Sequence, residues 1–308
     1  MTEEGKVESV ERESIKKVAI VVLGRGVRIG IYGPGGVVDE KREEIVDTVK
    51  IGDGSQLMPT GLLERVVKKV PEKGNFGPEE HPAMDWPVYP ETDDTDDVRY
   101  AGAEENVEAA EMIARKVLAD PNKKLTEIYW AAGRTPDVDA YAPEGWTQGM
   151  VLAKKFVNDM GGEIQGRDIK MNFEPENKNT WDDLAASLLG AAKADVDEIV
   201  VVTVGVHMPR TEKMTEEVLA GMKVALGEDH VPKVTYQPSE ELLMDDKGGE
   251  IRKAQGTEAF RLTQEREQNG IKAMEAGTYK SQWADGGKVA EFNKPVQVMS
   301  VDEVRNFK

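Results

Sequence analysis

The chain has 308 residues, with 40 Lys and Arg against 58 Asp and Glu, so its formal net charge at pH 7 is −18. This acidic balance argues against nucleic acid or an anionic membrane as the main partner, although it is compatible with a basic pocket. The absence of cysteine excludes disulfides, thiol catalysis and cysteine-bound zinc or iron–sulfur sites, and 3 histidines argue against a multi-histidine metal site.

The sequence shows neither a signal-peptide pattern nor a membrane span. Residues 1–17 are charged and lack the apolar centre of a signal peptide. No window approaches the roughly 18 apolar residues that a membrane helix requires. We therefore expect a cytoplasmic protein with no membrane partner, and homo-oligomerisation stays open.

The first predicted strand is an apolar, β-branched run at residues 17–24, of the kind that is buried on both faces in parallel sheets. Gly24 and Gly26 follow it, and glycines in this place let backbone amides approach an anion, although a tight turn alone also needs glycine. The spacing through Gly30 is G-x-G-x-x-x-G, and no helix pattern follows directly. It therefore fails as a dinucleotide-binding fingerprint.

Residues 31–54 look like an elaboration between the predicted strands. We predict a short charged helix near residues 39–48 and an amphipathic helix over 57–70, where apolar residues recur at helical spacing. The stretch 71–100 is rich in Pro, Gly, Asp and Glu, and long loops of this kind are often lids or binding loops. Its acidic residues could bind a hard cation, but they lack the EF-hand pattern, so we predict a solvated loop and no metal site.

From residue 104 onwards predicted helices and strands alternate. The strands fall at 126–132, 168–173, 198–203 and 233–236, and the helices at 104–118, 145–160, 180–194 and 211–226. This alternation predicts an α/β fold with a doubly wound, mostly parallel sheet and helices on both faces. The charged stretch 256–275 is predicted to be helical. We divide the chain into a charged leader (1–16), an α/β domain (17–245) and a mostly helical C-terminal extension (246–308).

Glycines and polar residues lie at the carboxyl ends of four predicted strands, those at 17–24, 126–132, 168–173 and 198–203. They are Gly24 and Gly26; Gly133 and Arg134; Glu174, Asn179 and Thr180; and Thr203, His207 and Arg210. The carboxyl ends of parallel strands lie at one edge of a sheet, which is where open α/β sheets bind ligands. The sequence therefore predicts a ligand site at this edge.

His207 and Arg210 are the residues with the most specific chemistry. We expect Arg210 to hold an anionic group of the ligand and His207 to transfer a proton. Glu174 would orient His207 or hold hydroxyls of the ligand. The structural alternatives are a polar strand-to-helix turn around His207 and, at Thr180, a helix N-cap with Asp183 completing a capping box.

Motifs in chain order resemble those of the YdcF/SanA/ElyC-type family. They are Gly24-x-Gly26, Asp53-Gly-Ser-Gln-Leu-Met-Pro59 with Arg65 behind it, the strand ending at Gly133, Glu174-x-x-Asn-x-Asn179-Thr180-x-Asp-Asp183 and Thr203-x-x-x-His207-Met-Pro-Arg210. The resemblance spans residues 18 to about 237. Relative to the family, residues 27–52 and 71–103 look like inserts. The chain also departs from it at Arg134, where a second glycine is common, at Asn177 for serine and at Asp183 for asparagine.

The resemblance implies a Rossmann-like sheet and a small nucleotide-like ligand, because the YdcF branch of the family is associated with S-adenosylmethionine. It adds Asp53, Arg65 and Asp183 to the ligand-binding residues, but it does not name a reaction. We expect an enzyme, a transferase or hydrolase acting on a nucleotide-like or phosphorylated small molecule. The alternatives are a non-catalytic ligand sensor and a structural or assembly protein that uses the fold as a scaffold.

Overall fold

The computed structural model describes residues 15–24, 27–29, 32–33, 36–39, 44–45, 49–50, 56–59, 62–65, 84–85, 98–132, 147–174, 179–281 and 296–307. For the strand residues between 27 and 99, only the backbone is described.

The described elements up to residue 100 are strands, and from residue 98 to residue 255 strands and helices alternate. The strands are β1 (Lys16–Leu23), β2 (Val27–Ile29), β3 (Tyr32–Gly33), β4 (Gly36–Asp39), β5 (Glu44–Ile45), β6 (Val49–Lys50), β7 (Gln56–Pro59), β8 (Leu63–Arg65), β9 (Met84–Asp85), β10 (Val98–Tyr100), β11 (Lys123–Ala131), β12 (Lys170–Phe173), β13 (Glu198–Thr203), β14 (Lys233–Pro238) and β15 (Gln297–Ser300). The helices are α1 (Ala103–Ala119), α2 (Gln148–Met160), α3 (Thr180–Lys193), α4 (Met208–Leu226), α5 (Ser239–Gln255), α6 (Glu258–Glu275) and α7 (Val301–Asn306).

The main sheet has six strands in the order β14-β13-β1-β11-β12-β15. All neighbours pair in parallel except β15, which runs antiparallel to β12. The prediction of a doubly wound, mostly parallel α/β sheet is confirmed. The predicted strands at 198–203, 18–23, 126–132 and 168–173 are neighbours in this order. Their carboxyl ends therefore share one edge of the sheet.

Strand β1 lies at the centre of the sheet, with every residue from Val18 to Leu23 at most 1 % exposed. Val18, Ile20 and Val22 face the core formed with α1 and α2, whereas the alternate residues face α3 and α4. Each fully buried side chain of this size contributes roughly 1.5–3 kcal/mol. Burial on both faces explains why the sequence of β1 is continuously apolar rather than alternating.

Successive strands are added first on one side of β1 and then on the other, and the change of side falls between β1 and β13. From β1 the chain proceeds through α1 to β11 and through α2 to β12 on one side of β1, and α3 then returns it to β13 on the other side. The first five strands of the sheet therefore have the order 3-2-1-4-5 of a Rossmann-like fold. Such a switch point opens a crevice beyond the carboxyl ends of the two strands that flank it.

The two helices predicted near residues 39–48 and over residues 57–70 are wrong. Residues 36–39 and 44–45 form an antiparallel pair of strands, and residues 56–59 and 63–65 form two further strands. Pro59 and Gly61 interrupt the spacing that suggested a helix over 57–70. In residues 71–100 the described parts are β9 and β10, so the predicted lid lies mostly outside the described residues.

The C-terminal extension is helical in α6, as predicted, and α5 runs through the proposed boundary at residue 245. The sequence analysis missed β15 and α7. Helix α7 begins with a capping box in which Ser300 and Glu303 bond to each other's backbone amides. This Ser-x-x-Glu signature is visible in the sequence and could have identified the helix.

Candidate functional site at the carboxyl edge of the sheet

The position at which the strand order predicts a crevice, between the carboxyl ends of β1 and β13, is bordered by the first turn of α1. Val22 pairs with Val202, so Leu23 and Thr203 are the next residues on the two strands. The side chain of Asn106 donates a hydrogen bond from Nδ2 to the carbonyl of Leu23 at 2.8 Å. This contact holds the start of α1 against the end of β1.

Three side-chain oxygens beside this crevice have no hydrogen-bond partner among the described residues. They are Glu105 Oε2, Asn106 Oδ1 and Thr203 Oγ1. Glu105 is 4 % exposed, and Asn106 and Thr203 are fully buried. Leaving a buried polar group unsatisfied costs about 1–3 kcal/mol, so three of them beside one crevice are an expensive arrangement for a purely structural core.

Glu105 is the most unusual of the three. Its Oε1 accepts a hydrogen bond of 3.3 Å from the backbone amide of Leu62. Burial, helped by the neighbouring Glu104, raises the pKa of Glu105 to about 8. The group is therefore mostly protonated at neutral pH and can donate as well as accept a hydrogen bond.

The N-terminus of α1 approaches this crevice closely because Gly102 has no side chain. Its φ of +99° lies in the left-handed region, and a Cβ there would lie 2.4 Å from Val204 Cγ1. Gly24 likewise meets the end of β11, since a Cβ at Gly24 would lie 2.2 Å from that of Ala132. Both glycines are required for packing, and this requirement is independent of any ligand.

His207 and Arg210 meet Glu267 of α6 in a buried network at the start of α4. His207 Nδ1 lies 2.8 Å from Glu267 Oε2. Arg210 donates from Nε to Oε2 at 2.6 Å and from Nη2 to Oε1 at 3.3 Å, so it contacts both oxygens of the carboxylate. Arg210 Nη1 also donates to the hydroxyl of Tyr279 at 3.3 Å.

This geometry favours one tautomer of His207. Arg210 only donates hydrogen bonds and an ionised Glu267 only accepts them. The proton of a neutral His207 therefore lies on Nδ1 and is donated to Glu267, although Arg210 Nη2 is also 3.2 Å from Nδ1. Nε2 is then the nitrogen that carries the lone pair. With His207 only 2 % exposed, any proton transfer must take place in a buried pocket.

Gly270 makes room for Arg210. A Cβ on this residue of α6 would lie 2.8 Å from Arg210 Cδ. The C-terminal extension thus supplies both the carboxylate and the space that Arg210 occupies. The guanidinium that we expected to hold a ligand's anion is already neutralised by Glu267.

A second buried carboxylate, Glu240, joins the end of β13 to α5. It accepts hydrogen bonds of 2.6 Å from the hydroxyl of Tyr100 and of 2.6 Å from the backbone amide of Gly205. The sequence analysis missed Glu105, Glu240 and Glu267. Glu240 could have been found, because it follows directly after β14 and so obeys the same strand-end rule as the other candidates.

The remaining predicted site residues are spread around the edge. Glu174 is buried and accepts a hydrogen bond of 2.9 Å from Ser187. The N-cap of α3 is Asn179, whose side chain accepts from the amide of Asp182, so the prediction of Thr180 as the cap is wrong by one residue. Asp183 is buried in the first turn of the same helix.

Several predicted residues are not covered by these observations. Gly26, Asp53, Gly133 and Arg134 lie outside the described residues, and only the backbone of Arg65 is described. Among the described side chains, no group of three or more His, Asp or Glu is placed to hold a metal ion. No helix in the described part of the chain is long and apolar enough to cross a membrane.

The topology and the crevice define an α/β protein with a Rossmann-like sheet. Comparison with protein-family models, with curated proteins and with solved structures finds no match. The residues at this edge of the sheet are therefore the basis for assigning a function.

Proposed function

We propose that the chain binds a small, anionic, nucleoside-like molecule in the crevice between β1 and β13, with S-adenosylmethionine and nucleotides as the first candidates. The observation that carries the proposal is the set of unpartnered buried oxygens on Glu105, Asn106 and Thr203 beside the switch point. Buried polar groups are normally hydrogen-bonded, and a ligand in the crevice would supply the missing partners.

The chemistry of these residues fits a nucleoside. The amide oxygen of Asn106 accepts hydrogen bonds, whereas the hydroxyl of Thr203 and the protonated carboxyl of Glu105 can donate or accept them. Ribose hydroxyls and amino groups need this mixture. An anionic group would lie towards the helix N-termini at the same edge, where backbone amides carry partial positive charge.

Catalysis is the further part of the proposal. His207, oriented by Glu267, would exchange a proton with the bound molecule as a transferase or hydrolase requires. Glu174 keeps its proposed role of holding ligand hydroxyls. A cytoplasmic location belongs to the same proposal.

A thermal-shift screen with S-adenosylmethionine, adenosine, ATP and sugar phosphates tests the binding. A ligand at about 100 times its dissociation constant should stabilise the protein by about 2.7 kcal/mol. Stabilisation by adenosine and by its anionic derivatives would support a nucleoside site. Failure of every nucleoside, or stabilisation by sugar phosphates alone, would contradict it.

The variant Thr203→Val separates a ligand contact from a structural role. It replaces an unpartnered hydroxyl with a methyl group, so the unliganded protein should unfold at the same or a higher temperature. Affinity for the ligand found by the screen should fall about 10-fold, the value of one hydrogen bond.

Thr263→Val is the matched control. Its buried hydroxyl already donates to the carbonyl of Ala259 at 2.9 Å. We expect this change to lower stability and to leave ligand affinity unchanged. Equal affinities in wild type and Thr203→Val would place the ligand elsewhere.

His207→Ala distinguishes an enzyme from a sensor. Mass spectrometry of each stabilising ligand after incubation with the protein would reveal turnover. For an enzyme, the variant should keep the ligand-induced shift and lose the product. Binding without any product in the wild type would favour the sensor, and a defined oligomer with no ligand binding would favour the scaffold.

A further inference from the structure

A separate cleft of about 440 Å³ opens on the face of the sheet that packs against α3. Its floor is formed by residues of β11 and β12, one wall by α3 and the other by residues 296 and 298 at β15. Its lining comprises Glu127, Tyr129, Lys170, Asn172, Ala186, Leu189, Gly190, Lys193, Ala194, Val296 and Val298. Pockets for small molecules typically have volumes of about 300–1,000 Å³.

The floor of the cleft is polar, whereas the same face of the neighbouring strand β1 is apolar. Asn172 Nδ2 donates to Glu127 Oε2 at 2.7 Å, and Lys170 Nζ lies 3.4 Å from Glu127 Oε1. Glu127 and Asn172 are each only 4 % exposed. Polar groups at inward-facing strand positions are costly in a core, whereas a small number of them is typical of a ligand pocket.

Tyr129 completes this floor. Burial, with the charge of Glu127 beside it, raises the pKa of the Tyr129 hydroxyl, so the group stays protonated and can donate a hydrogen bond. Gly190 of α3 lies directly above the ring, and a Cβ there would lie 2.8 Å from Tyr129 Cε1. The glycine thus lets the helix approach the ring closely.

The cleft has a charged end and an apolar side. Lys170 lies near the start of β12 and Lys193 lies in the last turn of α3, which points towards the same end of the sheet. Within the described part of the chain, Lys193 forms no ion pair. Two lysines and one glutamate give the lining a net positive charge, in a chain whose formal net charge is −18.

Apolar side chains extend from this charged end along the cleft. Leu189 lies on the wall formed by α3, and Val298 lies opposite Asn172 on β15. Val298 is 53 % exposed although it is apolar. A molecule lying along this wall would cover it and would place its own polar end at the lysines.

We propose that this cleft is a second binding site, for a small organic anion with a flat apolar body and one acidic group such as a carboxylate or sulfonate. The acidic group lies beside Lys193 and Lys170, and the apolar body lies between Leu189 and Val298. The site is independent of the crevice at the carboxyl edge and takes a different class of ligand.

Fluorescence titration with 8-anilinonaphthalene-1-sulfonate tests the proposal, because this probe has an anionic group on a flat apolar body. We expect saturable binding of one molecule per folded chain. The uncharged analogue N-phenyl-1-naphthylamine should bind more weakly. Equal affinities of the two probes, or binding at many sites, would overturn the proposal.

Two substitutions locate the probe, each with a matched control. Val298→Trp fills the mouth of the cleft and should weaken binding at least about 10-fold. Val224→Trp on α4, at a residue that is 89 % exposed, should have no effect.

Lys193→Glu should weaken sulfonate binding about fivefold, the size expected for reversing an exposed charge, and should not weaken binding of the neutral analogue. Lys116→Glu is its control, because Lys116 occupies the last turn of α1 as Lys193 does that of α3. If Val298→Trp does not fold, the charge reversal alone decides. Unchanged sulfonate affinity in Lys193→Glu would overturn the proposal.

Discussion

Replacing Arg210 with alanine is expected to lower the free energy of unfolding by about 3–5 kcal/mol, as is typical when one partner of a buried ion pair is removed. The side chain of Glu267 is only 7 % exposed and its two oxygens both accept hydrogen bonds from Arg210. Without the guanidinium, the carboxylate stays buried with His207 as its main partner. Urea denaturation followed by circular dichroism measures the change.

Two variants show whether the buried pair is the cause. Arg261→Ala removes an exposed arginine of α6 that pairs with Glu258 and Glu265, and it should cost less than about 1 kcal/mol. The double variant Arg210→Met with Glu267→Gln removes both charges and should recover much of the stability. A loss in Arg210→Ala no larger than that in Arg261→Ala would mean that the network contributes little.

Arg210→Lys should lower the free energy of unfolding by less than Arg210→Ala and by more than Arg261→Ala. A lysine places one charge near Glu267, but it cannot donate to both oxygens from a planar fork.

The pairing of Arg210 with Glu267 also limits ligand binding. An anion could use Arg210 only by competing with Glu267, so the role that we predicted for Arg210 requires the carboxylate to move.

The central strands were predictable because their sequences are short apolar runs bounded by polar turns. Residues 18–23 and 198–203 are rich in β-branched residues, too short for helices, and buried on both faces in the structure. Alternation with helices then implied parallel pairing, and parallel pairing placed His207 and Arg210 at the same edge as Gly24. Local sequence alone is therefore enough to predict these strands and their shared edge.

The partners of these residues were not predictable from local sequence. Glu267 lies 57 residues after Arg210 in a run of charged residues that looks like a solvated helix face. Glu105 resembles an ordinary acidic residue in the first turn of a helix, and only the packing of Leu62 above it reveals its burial. Strand β15 follows a Pro-containing tail and joins the sheet through long-range pairing with β12.

The buried carboxyl of Glu105 should make stability fall as pH rises. Its pKa is about 8 in the folded protein, against an ordinary value of 4.5 that applies when the chain is unfolded. Between these values the folded state binds more protons than the unfolded state, so the free energy of unfolding decreases with pH. The whole contribution of Glu105 to stability is present below about pH 4.5 and is lost as pH rises through 8. The decrease is up to about 5 kcal/mol, at about 1.4 kcal/mol per pH unit.

Glu105→Gln should remove this decrease, because the amide keeps the shape of the side chain and does not ionise. Glu111 is the appropriate comparison, since burial and the nearby Asp159 raise its pKa to about 7. Glu111→Gln should make the decrease shallower only below about pH 7, where Glu111 also contributes, and the decrease that Glu105 causes should remain up to about pH 8. Denaturant titrations of the three proteins from pH 5 to 9 measure these slopes. A decrease above pH 7 that persists in Glu105→Gln would show that another group titrates there and that Glu105 is solvated or ionised in the folded protein.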